Sequence, residues 1–137
     1  MSNITLKGRK VFEGTAEGEA LVTKDAWAAF MAIDVDTGIV TEAGHELRGE
    51  SVAEKILVFP RSKGSSGWSM GAQALRFAGT APLAMIVSEI HAQSALGAIV
   101  MRVPTVTDLN MDPTEVIKTG DWVKVDASNG VVEITRR

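Results

Sequence analysis

Three short apolar runs, "EKILVFP" at 54–60, "PLAMIVSE" at 82–89 and "VPTVTD" at 103–108, are separated by two stretches of helical character. That succession constrains the fold more than any other feature. A short unbroken apolar run bounded by turn residues is the pattern of a strand buried on both faces, and the first run stops at Pro60, which cannot continue a ladder. Between the runs, "WSMGAQALRFAG" places Met70, Ala74, Phe77 and Ala78 near one helical face and ends at Gly79, suited to a helix C-cap. "HAQSALGAIVMR" predicts a second helix. Strands alternating with helices in this way favour parallel pairing, because a parallel return needs a crossover.

The flanks have a different period. "KVFEGTAEGEALV" mixes β-branched residues with Gly14 and Gly18 and predicts two strands around a turn. "WAAFMAIDVDTGIVT" brings Ile33 and Val35 up to the turn residues Asp36, Thr37 and Gly38 and leaves through Ile39 and Val40. The tail "GDWVKVDASNGVVEITRR" alternates on both sides of Asn129-Gly130, a strong hairpin signal. The expectation is an α/β fold over residues 1–137 as one domain: a β-rich N-terminal half, a βαβαβ segment and a C-terminal hairpin.

Composition narrows the chemistry. A chain of 137 residues with 45% hydrophobic content can bury a core. Its net charge of −3 argues against general nucleic-acid binding, which needs a concentrated basic face. With no cysteine, the chain forms no disulfide and offers no thiolate to an iron–sulfur cluster or structural zinc. No run approaches the roughly 20 apolar residues of a membrane span, and the N-terminus has no apolar signal core, so a cytoplasmic protein is expected.

One loop invites chemistry. "FPRSKGSSGWSMG" at 59–71 sets Ser65 and Ser66 between Gly64 and Gly67, behind Arg61 and Lys63. With a strand ending at Phe59 and a helix beginning near Trp68, the serines fall at a helix N-terminus, where unpaired N–H groups and the dipole favour negative charge. A serine hydroxyl acts as a base only in such an anion-stabilising setting. The same setting suits a bound carboxylate or phosphate, and the plainest reading is a serine cap. The motif is too short for a Walker loop.

The segments "EGEALV", "DVDTGIV", "HELRGESVAEKILVFP", "KGSSGWS", "APLAMIV" and "GAIVMRVPTV", in this order, resemble the small subunit, or swivel domain, of the aconitase X family from end to end. The resemblance implies a swivelling β/β/α domain that closes over a large catalytic subunit in a heterodimer. It also implies an iron or iron–sulfur centre held by that partner, and a serine base from the Gly-Ser-Ser loop. By analogy with true aconitases the base is Ser65. Substrate contacts then fall to Arg61, Lys63, Gly64, Ser66 and Gly67. True aconitases continue the motif with a carboxylate-binding arginine, whereas Gly67 and Trp68 follow here, which argues against a tricarboxylate. The implied activity is dehydration of a small hydroxy acid. We favour cis-3-hydroxy-L-proline, because Lys and Glu are not enriched as in hyperthermophiles; phosphomevalonate is the alternative.

Two other classes stay open. "HAQSALGAIVMRVPTV" followed by "GDWVKVDASNGVVEI" also resembles the phosphohistidine swivel domain of phosphoenolpyruvate-using enzymes, with His91 as acceptor, although "SEIH" replaces the expected glycine-threonine-serine-histidine signature. A cap or surface role is the plainer reading of His91. A non-catalytic binding module is the third class. His45, beside Gly44, is assigned no role. Asp34 and Asp36 lack the further ligands of a calcium loop and fit a turn. Trp27, Trp68 and Trp122 are expected to pack, with Trp68 placed to line a pocket or a partner contact. Met101 to Val106 is expected in the core, and Asp108 and Asp112 are expected to flank a loop.

Overall fold

The structure, a computed structural model, describes residues 3–64 and 67–136. In chain order the strands are β1 (Asn3–Lys7), β2 (Arg9–Phe12), β3 (Thr15–Val22), β4 (Ile33–Asp34), β5 (Ile39–Val40), β6 (Ile56–Phe59), β7 (Ala84–Val87), β8 (Thr105–Thr107), β9 (Trp122–Asp126) and β10 (Val131–Thr135). The helices are α1 (Gly67–Ala78), α2 (Ala92–Met101) and the single turn α3 (Pro113–Val116).

The three apolar runs form the middle of the molecule. β3, β6, β7 and β8 lie side by side and parallel, with α1 crossing from β6 to β7 and α2 from β7 to β8. The remaining pairs of the main sheet, β3 with β9, β9 with β10, β10 with β1 and β8 with β2, are antiparallel. Strand order is therefore β1-β10-β9-β3-β6-β7-β8-β2, and the two end strands are consecutive in sequence, joined at Gly8 alone. A one-residue link cannot span a flat sheet of eight strands, so the sheet curls until its edges meet. At the seam Gly8 N–H donates to Gly130 O at 2.8 Å. A Cβ on Gly8 would stand 2.5 Å from Thr107 O, and one on Gly130 would stand 2.3 Å from Gly8 O, so closure requires glycine on both sides.

Because side chains alternate along a strand, the continuous runs divide between two cores. Ile56 and Val58 of β6 and Ala84 and Ile86 of β7 enter the barrel, with Leu6, Val123, Val125, Val132 and Ile134. Leu57, Phe59, Met85 and Val87 point the other way, under α1 and α2, against Trp27, Trp68, Leu75 and Met101.

Several expectations need refinement. The strands flanking Gly14 form, but β2 pairs with β8 whereas β3 runs between β9 and β6, and Gly18 lies inside β3. β4 and β5 pair around the turn at 36–38, where Asp34 Oδ1 accepts from Asp36 N–H at 3.0 Å. The tail is a hairpin, and its turn is a short 3-10 segment, Ala127–Asn129, followed by Gly130 at φ +67°. α1 ends at Gly79, φ +76°, as expected. Met70, Ala74, Phe77 and Ala78 share one side of it, and that side faces outward, whereas Trp68, Gly71, Ala72 and Leu75 point inward. Two elements had no sequence expectation, β1 and α3. Asp112 belongs to the latter as its N-cap, its carboxylate accepting from Thr114 N–H at 3.0 Å, and Asp108 pairs with Arg9 at 2.7 Å. From Met101 to Val106 only Arg102 is exposed and Pro104 half-buried; the rest is core.

Candidate active site

In sheets with parallel strands, ligands bind beyond the carboxyl ends of the strands. Here that edge is formed by residues 60–64 leaving β6 and 88–91 leaving β7. β6 is prolonged past Pro60 by Trp27: Trp27 N–H donates to Arg61 O at 3.0 Å and Lys63 N–H to Trp27 O at 3.1 Å. The chain is thus held in register up to Lys63. Ser65 and Ser66 lie outside the described residues, and their flanking glycines define the loop's ends. Gly64 has φ +104° with open space around it, a backbone geometry L side chains rarely adopt. Gly67 begins α1 beneath the ring of Phe30, where a Cβ would meet Phe30 Cδ2 at 2.7 Å.

The two predicted cations differ in their surroundings. Arg61 is exposed at the end of the prolonged strand. Lys63 Nζ is paired with the Glu42 carboxylate, which is more buried than the lysine. Glu42 stands 21 residues away in sequence, and no spacing signal links it to the loop. Its segment is held by His45, which is 6% exposed. Leu47 N–H donates to His45 Nδ1 at 3.0 Å, so Nε2 carries the proton and donates to Ala26 O at 2.9 Å. The histidine assigned no role is therefore a buried tie between the 42–50 loop and the segment that braces β6.

Trp68 does not line a pocket. It is 1% exposed, donates Nε1–H to Trp27 O at 3.1 Å and meets the Trp27 ring edge-on at 5.5 Å. Trp27 is buried as expected, while Trp122 is half-buried and donates to Glu17 at 3.0 Å. Two hydroxyls that sequence reasoning missed, Ser62 Oγ and Ser88 Oγ, are buried near the carboxyl ends of β6 and β7 without a hydrogen-bond partner among the described residues. His91 occupies the N-cap position of α2, its N–H donating to Ser94 Oγ at 3.3 Å and its ring 3.4 Å from Glu89. That is the N-cap position, without a side-chain cap hydrogen bond. Among the described residues, no three His, Cys, Asp or Glu side chains gather as a metal site, and no helix is long and apolar enough to cross a membrane.

Comparison with known proteins extends this geometry. Residues 5–134 match the family described as aconitase X swivel domain. The phosphomevalonate dehydratase small subunit of Methanosarcina acetivorans is 41% identical, covering 99% of this chain and 94% of its own length. That of Thermococcus kodakarensis is 45% identical, covering 94% and 95%. The crystal structure of Thermococcus kodakaraensis aconitase X in its holo-form superposes with a TM-score of 0.91 at 44% identity, over 97% of this chain and 99% of that one. A UPF0107 protein solved by solution NMR superposes with a TM-score of 0.88 at 42% identity, over 97% and 100%.

Proposed function

This chain belongs to the aconitase X swivel domain family, and from that premise we propose that it is the small subunit of a two-subunit dehydratase and supplies the reaction's serine base. The observation that carries the reading is the glycine-flanked serine pair, set between the braced end of β6 and the first residue of α1 on a chain without cysteine.

Ser65 takes the proton from the carbon next to the one that loses hydroxide, and the electron pair left behind forms the new double bond. Backbone N–H groups at the start of α1, near Ser66 and Gly67, stabilise the alkoxide. Arg61 and Lys63 hold the anionic group of the substrate, Lys63 exchanging its Glu42 partner for it. The chain has no cysteine to hold an iron centre. We therefore assign the iron or iron–sulfur centre to the large subunit, where it would polarise the leaving hydroxyl.

For the substrate we favour phosphomevalonate over cis-3-hydroxy-L-proline. Relatives matching nearly the whole chain are named for the former. The composition argument for hydroxyproline speaks to growth temperature and not to a binding site. The test is co-expression with the large subunit, iron analysis of the purified pair, and dehydration assays on both compounds, with the isolated chain as control. The pair should convert phosphomevalonate and the isolated chain neither compound. Turnover of hydroxyproline alone would reassign the substrate, and enzyme-like turnover by the metal-free chain would end the two-subunit reading.

A further inference from the structure

The outer face of the two crossover helices is unusually apolar. α2, "AQSALGAIVM", contains no charged residue, and α1 contains one, Arg76. Arg76 does little to solvate this face: its guanidinium lies 5.6 Å from the centroid of the Phe77 ring and reaches the Val100 carbonyl at 3.5 Å. A helix apolar on all sides is ordinarily covered on all sides, yet Leu96 and Ile99 are each 50% exposed, Met70 61% and Phe77 72%. Phe30 and Met31 add to this surface at 39% and 88% exposure. Met31 holds φ +59°, a backbone state uncommon for a non-glycine residue and worth a functional explanation when the side chain is left in water.

This surface is continuous with the candidate active site. The Phe30 ring lies over Gly67, and the Ala29 carbonyl presses on Gly71, where a Cβ would stand 1.8 Å from its oxygen. The 29–31 segment therefore crosses the first turn of α1, and Met70 projects from that same turn. α2 packs directly on α1, Gly97 against the Trp68 ring. A rim of Phe30, Met31 and Met70 thus borders the start of α1 at Gly67, and Phe77, Leu96 and Ile99 extend it along both helices.

We propose that this face is where the large subunit docks. The inference rests on the reading of the chain as a small subunit: a loop that delivers its serine to a partner's reaction centre must be bordered by surface touching that partner. Two helices with one charge between them, Arg76, fit an apolar patch on the large subunit better than a solvated gap, since contiguous apolar patches on proteins that stay monomeric rarely exceed a few hundred Å².

The test uses the two purified full-length subunits. Met70→Asp and Leu96→Asp, with the milder Met70→Gln and Leu96→Gln, are titrated against the large subunit, and circular dichroism and melting of each isolated variant check its fold. Lys124→Glu, on β9, is the control. Each Asp variant should weaken association at least tenfold, each Gln variant less, and the control not at all. Folded variants that bind like wild type overturn the proposal. So does an isolated chain that dimerises through this face, with the same variants dispersing the dimer while leaving the large-subunit affinity unchanged. If the wild-type subunits do not associate, the small-subunit reading falls and this inference with it; if they associate and the variants bind normally, only the docking face falls.

Discussion

The barrel interior and the helical layer share the strands β6 and β7, one face each, and they are finished to different degrees. Inside the barrel every large apolar side chain is enclosed by this chain alone, from Leu6 on β1 to Ile134 on β10, and Gly8 and Gly130 close the seam. On the other face Leu57, Phe59, Met85 and Val87 are buried just as fully, but the helices covering them are themselves uncovered on their outer side. The first region is a self-sufficient frame. The second is a layer left open on its outer side, and the candidate site sits at its edge.

The largest effect should come from the frame. Ile86→Ala removes a fully buried side chain from the barrel and should cost about 2–5 kcal/mol in chemical denaturation of the isolated chain, since a closed barrel collapses poorly onto a cavity. A loss below about 1 kcal/mol would break the comparison, because Ile→Val changes that remove a single methylene already reach that size.

An intermediate effect is expected where the frame meets the site. His45→Ala removes the acceptor of Leu47 N–H and the donor to Ala26 O, leaving buried groups unpaired at a cost of about 1–3 kcal/mol. It should also loosen the segment carrying Glu42, so the assembled enzyme should show a raised KM for its anionic substrate with kcat less affected. Equal stability and unchanged KM would remove His45 and Glu42 from the account.

The smallest effect is expected on the uncovered face. Leu96→Ser in the isolated chain should change stability by no more than about 0.5 kcal/mol, the usual range for a surface position. A large loss would mean that the face is already part of this chain's own core.

The same contrast explains what could be read from the sequence. The three apolar runs and the Asn129-Gly130 turn placed the parallel centre and the hairpin correctly, because burial on both faces and left-handed turn geometry leave local signatures. Asn3–Lys7 gave no such signal: its place in the sheet depends on β10, more than 120 residues away along the chain. For α1 the sequence placed Met70 and Phe77 on one face but did not say whether that face is buried. Met70 and Phe77 are spaced like core residues, and an apolar stripe looks alike whether its cover comes from the same chain or another. In the candidate site, the place of Gly64 and Gly67 between the end of β6 and the start of α1 was legible from a short motif. Glu42 was not, since only the tertiary fold brings it to Lys63, and the burial of the Ser62 and Ser88 hydroxyls leaves no local signal.

The central claim, that this chain contributes a serine base to chemistry completed by its partner, is tested most directly by single-turnover rates of the assembled pair carrying Ser65→Ala or Ser66→Ala. Ser65→Ala should slow the chemical step by roughly 10²-fold or more with association and folding intact, the scale of losing a general base. Ser66→Ala should cost about 1 kcal/mol of stability, as loss of a cap does, with a much smaller effect on rate. Equal, mild losses from the two variants would contradict the claim and reduce the loop to a helix cap, and a dominant effect of Ser66→Ala would move the base by one residue.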